Sequence, residues 1–305
     1  MKKGFVGKKR NIKWIVIVVI VLGFGFLFLM SSILALTGTS INGNTAHIKI
    51  TGMITSESQS FLGTETASSQ EIVSNLKKAE ENTKIKAILI DINSPGGSAV
   101  ASEEIATAIK SSEKPVVALI RDLGTSGAYW AASSSDSIIA SPLSITGSVG
   151  ATAAYLEFSE LMKKYGVGYE RLVSGEFKDA GAPFRKLSEE ERELFQEIIE
   201  LTGNYFAQSV KENRKLSDET VEAISSGRIY TGQQAKELNL IDEFGNIEKA
   251  KQTIKEMAEI DEIKLVEYKV KRPFNVASLL SQQSAIIGKN IGTSLLKKEN
   301  DISLT

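Results

Sequence analysis

IKAILIDINSPGGS, residues 85–98, is a β-branched apolar run that ends in an Asn-Ser-Pro-Gly-Gly turn and opens onto a helical pattern. A run of this kind, apolar on both alternating faces, reads as a parallel strand covered on both sides, and the turn feeds the chain into a crossover helix. The same alternation recurs on either side of it. Strands are expected at 47–50, 115–120, 137–140, 168–172 and 263–269. Helices are expected at 69–81, 97–110, 126–134, 155–165, 218–225, 232–237 and 247–259. Ser188 followed by Glu191 forms a capping box, opening a long helix to about Arg214 with Leu194, Ile198, Leu201, Tyr205 and Val210 on a helical stripe. This pattern predicts an α/β domain with a largely parallel sheet over residues 46–270.

North of that domain, WIVIVVIVLGFGFLFLMSSILAL, residues 14–36, contains 23 residues without a charge. As a helix rising about 1.5 Å per residue it would cross a hydrocarbon core about 30 Å thick. Of the 36 bases in the chain, Lys2, Lys3, Lys8, Lys9, Arg10 and Lys13 precede this run with no acid among them. The expectation is a single-pass transmembrane anchor, with residues 1–13 cytoplasmic and everything past a linker at 37–45 extracytoplasmic. The remainder of the chain is net acidic, which argues against a nucleic-acid footprint. The tail, 271–305, includes a weakly amphipathic segment from Ser278 to Lys298. It reads either as a surface tail or as a segment docking on a neighbouring subunit or the membrane face.

Composition narrows the chemistry. The chain has no cysteine and one histidine, His47. Thiol nucleophiles, thiolate metal sites and multi-histidine metal sites are excluded, and a Ser-His triad would have to use that single imidazole. His47 falls in the first core strand and reads as a strand residue. Carboxylate, hydroxyl and lysine chemistry remain.

Three places could carry it. Asn93-Ser94-Pro95-Gly96-Gly97-Ser98 brings backbone N–H groups to a helix start, as in an anion-binding turn or an oxyanion hole, but without the lysine of a phosphate-binding loop. Thr125-Ser126-Gly127-Ala128-Tyr129-Trp130 sets a serine on a strand-to-helix turn, where it is either a nucleophile or an N-cap. Lys178, in Ser174-Gly175-Glu176-Phe177-Lys178-Asp179-Ala180-Gly181, is a loop lysine beside a phenylalanine; it reads as solvated, or as a base kept neutral by burial. Arg228 reads as a bracing residue, and Asp136 and Asp179 as turn caps.

Five segments occur together in this order: Asn93-Ser94-Pro95-Gly96-Gly97, Thr125 to Trp130, Thr146-Gly147-Ser148-Val149-Gly150, Gly175 to Asp179, and Gly227 to Ala235. With them the chain resembles the signal peptide peptidase A family, membrane-anchored serine–lysine peptidases of the short, single-copy kind, over residues 45–260. The resemblance implies a crotonase-like fold related to the Clp-peptidase core, Ser126 as nucleophile and Lys178 as general base. It implies Gly97 as an oxyanion-hole donor and Ser148 as the residue that orients the lysine; the N–H of Gly127, next to the serine, is a candidate second donor. It further implies assembly into a ring or dome in which the serine and lysine can come from one subunit or from adjacent ones, hydrophobic peptides such as signal-peptide remnants as substrates, and no cofactor. Ser98, Ala128 and Asn239 stand where the family more often has glycine. Other readings of the same fold are a crotonase-type acyl-CoA enzyme, a catalytically inactive membrane-anchored scaffold, and a processing enzyme for one membrane partner.

Overall fold

The computed structural model describes residues 17, 19–28, 43–58, 60, 61 and 64–269. The chain divides into two units at Gly43/Asn44. In the first, residues 17 and 19–28 are helical and exposed. Among the described residues no helix is long and apolar enough to cross a membrane. The rest of the expected 14–36 span, and the expected tail at 271–305, lie outside the described residues.

The second unit is a mixed α/β structure with a largely parallel sheet, as the alternation predicts. Its strands are β1 (Thr45–Thr51), β2 (Ile54–Thr55), β3 (Ser60–Phe61), β4 (Thr64–Glu65), β5 (Ala67–Ser68), β6 (Ala87–Ser94), β7 (Val116–Thr125), β8 (Ser137–Ala140), β9 (Ile145–Gly147), β10 (Ile229–Thr231), β11 (Glu243–Phe244) and β12 (Leu265–Glu267). The main sheet runs β10-β9-β7-β6-β1-β12, with β8 bridging β7 and β11. Every pairing in it is parallel except β10 with β9. The helices are α1 (Ser69–Glu81), α2 (Ala99–Lys110), α3 (Gly127–Ser133), α4 (Ser159–Lys164), α5 (Glu189–Arg214), α6 (Asp218–Ile224), α7 (Gly232–Glu237) and α8 (Ile247–Met257).

Side-chain alternation splits the core in two. Ile88, Ile90 and Ile92 of β6 meet α1 and α2 through Ile72, Leu76, Ile105 and Ile109 on one face. Ala87 and Leu89 face Ala250 and Ile254 of α8 on the other. Each large aliphatic side chain buried this way contributes roughly 1.5–3 kcal/mol. Local signals fix the helix ends: Ser68, Ser98 and Asn246 accept backbone N–H groups as N-caps. At the other end of α1, Lys114 Nζ donates to the carbonyls of Ala79 and Glu80 at 2.6 Å and of Asn82 at 2.9 Å. Burial lowers the Lys114 pKa. The cation nonetheless sits where a helix C-terminus favours positive charge.

Beyond Leu89 the α8 face of the sheet turns polar. Asp91 on β6 accepts from Arg121 Nε at 2.7 Å and Nη2 at 3.0 Å on β7, and its Oδ2 lies 3.0 Å from His47 Nε2 on β1. Burial pushes the Asp91 pKa up, but the hydrogen bonds from His47 and Arg121 outweigh it and hold the group at about 2.

Strand β7 decides where the site lies. Its first half pairs with β8, from Val117 with Ser137 to Ile120 with Ala140. Its second half leaves β8 and pairs with β9, Leu123 to Thr125 against Ile145 to Gly147. This fork carries Ser126 and the residues after it past the last paired residues of β6 and β9, where parallel sheets place their sites.

Several expected elements differ. Residues 168–172 form no strand, and α4 starts at Ser159, later than the expected 155. Both belong to an arm from Ala151 to Glu190 in which no residue is buried; Gly168 to Leu172 hold no β-branched residue, and no partner strand lies beside them. The apolar stripe on α5 is exposed along Leu194, Ile198, Leu201 and Tyr205, and only Val210 of that set is buried. The packed face of α5 uses Phe206, Ala207 and Val210 instead, with the Phe206 ring stacked on Trp130 at 4.6 Å between centroids. The short strands β9, β10 and β11 escape sequence reading because each has only two or three residues.

Candidate active site

Ser126 is the hinge between β7 and α3, with φ 53° and ψ −129°. A side chain in this region is strained, and such residues persist only where the surroundings impose them. Here they do. Ser126 N donates to Gly147 O at 2.8 Å, Trp130 N closes the first helical turn on Ser126 O at 3.0 Å, and Thr125 Oγ1 donates to Pro95 O at 3.3 Å. The Ser126 hydroxyl makes no cap hydrogen bond to its helix. It is not an N-cap in the usual sense; the turn presents the Oγ to a cavity.

The Pro-Gly-Gly turn packs directly on this serine. A Cβ on Gly96, which has φ +90°, would lie 2.7 Å from Gly127 N and 2.9 Å from Ser126 Cβ. On Gly97 it would lie 2.0 Å from Ile54 O, and on Gly127 2.0 Å from Ser102 Oγ. Ile54 N donates to Gly96 O and Ser98 N to Ile54 O, which fixes both sides of Gly97. Among the described residues neither Gly97 N–H nor Gly127 N–H has an acceptor. Two adjacent unpaired amides beside a presented hydroxyl form a site able to bind a developing oxyanion. Buried Ser94 supports the turn: its Oγ accepts from Gly96 N at 3.1 Å and donates to Gly52 O at 2.6 Å.

Ser148 follows β9 with φ 56°, its N–H donating to Arg228 O at 2.8 Å. It lines the same cavity of about 810 Å³ as Gly97, Ser126 and Gly127, and the far wall comes from α5 and Ser225 to Gly227. Ser126, Gly97, Gly127 and Ser148 are thus brought together. Lys178 is not: it is exposed on the arm, in a turn closed by Lys178 N to Gly175 O at 3.1 Å, and does not line this cavity. Among the described residues the burial expected around it is absent, because the arm has no core.

The remaining residues keep structural roles. Asp136 Oδ2 accepts from Val116 N at 2.8 Å at the start of β7. The Arg228 guanidinium lies 5.6 Å from the centre of the Tyr230 ring. Asn239 has φ 57°, a conformation in which asparagine replaces glycine at little cost. Among the described residues no group of three or more His, Cys, Asp or Glu side chains could hold a metal ion. Asp179, expected as a turn cap, instead joins Arg171, Arg185 and Glu191 in an ion-pair network. Six- and eight-residue spacings across a loop carry no helical or strand period, so sequence reading had no signal for it.

Residues 108–261 match the profile of peptidase family S49. A Methanocaldococcus jannaschii protein named as a protease is 35% identical over 226 residues, covering 73% of each chain. An Enterococcus faecium protein named as a signal peptide peptidase is 32% identical over 232 residues, covering 75% of this chain and 67% of that one. The chain belongs to peptidase family S49. Within it the chain is of the signal peptide peptidase A group, and it is a serine peptidase. An Arabidopsis thaliana serine protease, named as chloroplastic, is 32% identical over 194 residues, 63% of this chain and 29% of that one. The S49 match takes in Ser126, Ser148 and Lys178 and begins after Gly97, which β6 and α2 add from the N-terminal side.

Proposed function

We propose that this S49 chain is a membrane-anchored endopeptidase that degrades hydrophobic peptides, signal-peptide remnants among them, at the extracytoplasmic membrane face. Ser126 is the nucleophile and Lys178 the general base. The observation that carries the reading is the Ser126 turn, which holds an uncapped hydroxyl beside the two unpaired amides of Gly97 and Gly127. Support for the anchor comes from the charge-free run 14–36 behind six bases.

In the reaction, Ser126 Oγ attacks the peptide carbonyl carbon while neutral Lys178 Nζ takes its proton. The oxyanion is stabilised by the Gly97 and Gly127 N–H groups. Collapse of the tetrahedral adduct breaks the C–N bond, the lysine returns the proton to the leaving amine, and an acyl-enzyme remains. Water, deprotonated by the same lysine, releases the acid and restores Ser126. Ser148, on the cavity wall, orients the amine. The exposed position of Lys178 and the apolar arm around it favour a homo-oligomer of a crotonase-like fold, in which the lysine serves Ser126 of a neighbouring copy and is covered on assembly.

The test uses the full-length protein in detergent and a fluorogenic apolar peptide. Ser126→Ala and Lys178→Ala are each expected to lose turnover by more than about 10³-fold, and co-assembly of the two variants to restore part of it. Turnover surviving either single change would mean the dyad is misassigned, and failure of the mixture would place both residues in one subunit.

A further inference from the structure

The lysine that this reading makes the base sits in an arm without a hydrophobic core, yet catalysis needs its amine held to within a fraction of an ångström. What holds the arm is polar. Arg171 Nε donates to both carboxylate oxygens of Asp179, at 3.0 and 2.9 Å, and its Nη2 donates to Asp179 Oδ1 at 2.8 Å and to Glu176 O at 2.5 Å. Arg185 approaches from the other side, with Nε to Asp179 Oδ2 at 3.1 Å, Nη2 to Asp179 Oδ1 at 2.9 Å and Nη2 to Asp179 O at 3.3 Å. The backbone is therefore gripped two residues before Lys178 and one residue after it.

The same Arg185 fork reaches the body. Its Nη1 donates to Glu191 Oε2 at 2.7 Å and its Nη2 to Glu191 Oε1. Glu191 in turn closes the α5 capping box, accepting from Ser188 N at 2.9 Å while its own N–H donates to Ser188 Oγ. With its side chain 3% exposed, Glu191 is the buried end of the chain of contacts. The hydrogen bonds from Arg185 and from Ser188 N hold its carboxyl at about 2, and those from Arg185 and Arg171 hold Asp179 below the usual carboxylate range. All four groups stay ionised at neutral pH. An isolated surface pair would be weak, but forked guanidinium–carboxylate contacts in series have defined geometry.

We infer that Arg171, Asp179, Arg185 and Glu191 are positioning residues of the S49 reaction, a relay that registers the Lys178 turn against the N-terminus of α5. The inference rests on Lys178 being the base. Its consequence is kinetic: loosening the relay displaces the amine without touching the groups that bind peptide.

Full-length Arg185→Leu, Arg185→Lys and Glu191→Gln are compared with Lys178→Ala for kcat, KM and assembly size by light scattering. Glu191→Gln keeps a residue suited to the capping box while removing the charge opposite Arg185, so helix capping and pairing separate. Arg185→Leu is expected to lower kcat by about 10²-fold with KM within about twofold and assembly unchanged. Arg185→Lys and Glu191→Gln should retain intermediate kcat. Adding Arg185→Leu to Lys178→Ala should lower the residual rate no further, because residues acting as one unit are not additive. Wild-type kcat in Arg185→Leu, a loss confined to KM, or a fall explained by dissociation of the assembly would overturn the relay. Activity retained in Lys178→Ala would overturn the base assignment itself, whatever the arginine variants do.

Discussion

Gly97 shows how narrowly the nucleophile's surroundings are specified. An added methyl would meet backbone, Ile54 O at 2.0 Å, and backbone on both sides is hydrogen-bonded in place. Gly97→Ala must therefore swing its amide away from Ser126. The expected result is a fall in kcat of about 10²–10³, the usual loss for one oxyanion donor, together with a lowered thermal unfolding midpoint, because the clash displaces hydrogen-bonded backbone. A phosphonate titration of Ser126 run alongside would show whether the serine itself is still presented. Gly127 differs: its added methyl would meet the end of a side chain, Ser102 Oγ. A retained rate in Gly97→Ala would remove that amide from the reaction.

At the scale of elements, β1, β6 and β7 are tied across the sheet by His47, Asp91 and Arg121. The folded pKa of Asp91, about 2, lies below the ordinary 3.8. On acidification the unfolded chain takes the proton first, so this carboxylate's stabilisation is full above about pH 4 and is lost as pH falls toward 2. Asp91→Ala is expected to cost about 2 kcal/mol at pH 7, the range for hydrogen bonds to charged groups. It should also flatten the stability curve between pH 4 and 2 in denaturant titrations. An unchanged acid limb would show that other carboxylates dominate it.

Elements were readable in the sequence where period and caps agree. Ser68 and Ser188 open α1 and α5 where expected, and the run at 85–92 became a strand buried on both faces. Reading failed where structure depends on contacts far away in sequence. The fork of β7 onto β9 needs Gly147 to meet Thr125, and nothing in ITG alone reports that. The arm failed for a related reason: in Gly168 to Leu172 only Tyr169 favours a strand, and no strand lies beside it to pair with. Of the site, motif order marks Ser126, Gly97, Gly127 and Ser148, and the fold gathers these four. The relay from Arg171 to Glu191 was invisible because it joins a loop to a helix cap.

For the whole molecule, the decisive contrast is between a body with two packed layers and an arm with none. Leu172 is 87% exposed on the arm and Leu201 72% exposed on α5, beside other exposed apolar residues. Apolar surface this extensive is what the proposed assembly would cover. Leu172→Glu is expected to shift sedimentation toward smaller species and to lower turnover in parallel. Unchanged sedimentation would separate this face from assembly.

The bare arm also bears on timing. Strands β6, β7 and β9 all belong to one subunit, so the contacts that impose the Ser126 turn come from its own chain. If, as proposed, the arm is covered by other copies, it matures only when copies accumulate, since stabilisation by a partner follows mass action. On the proposed assembly such a subunit would be its own zymogen: a rise in subunit concentration, in place of removal of a pro-segment, would switch it on, and dilution would return it to silence.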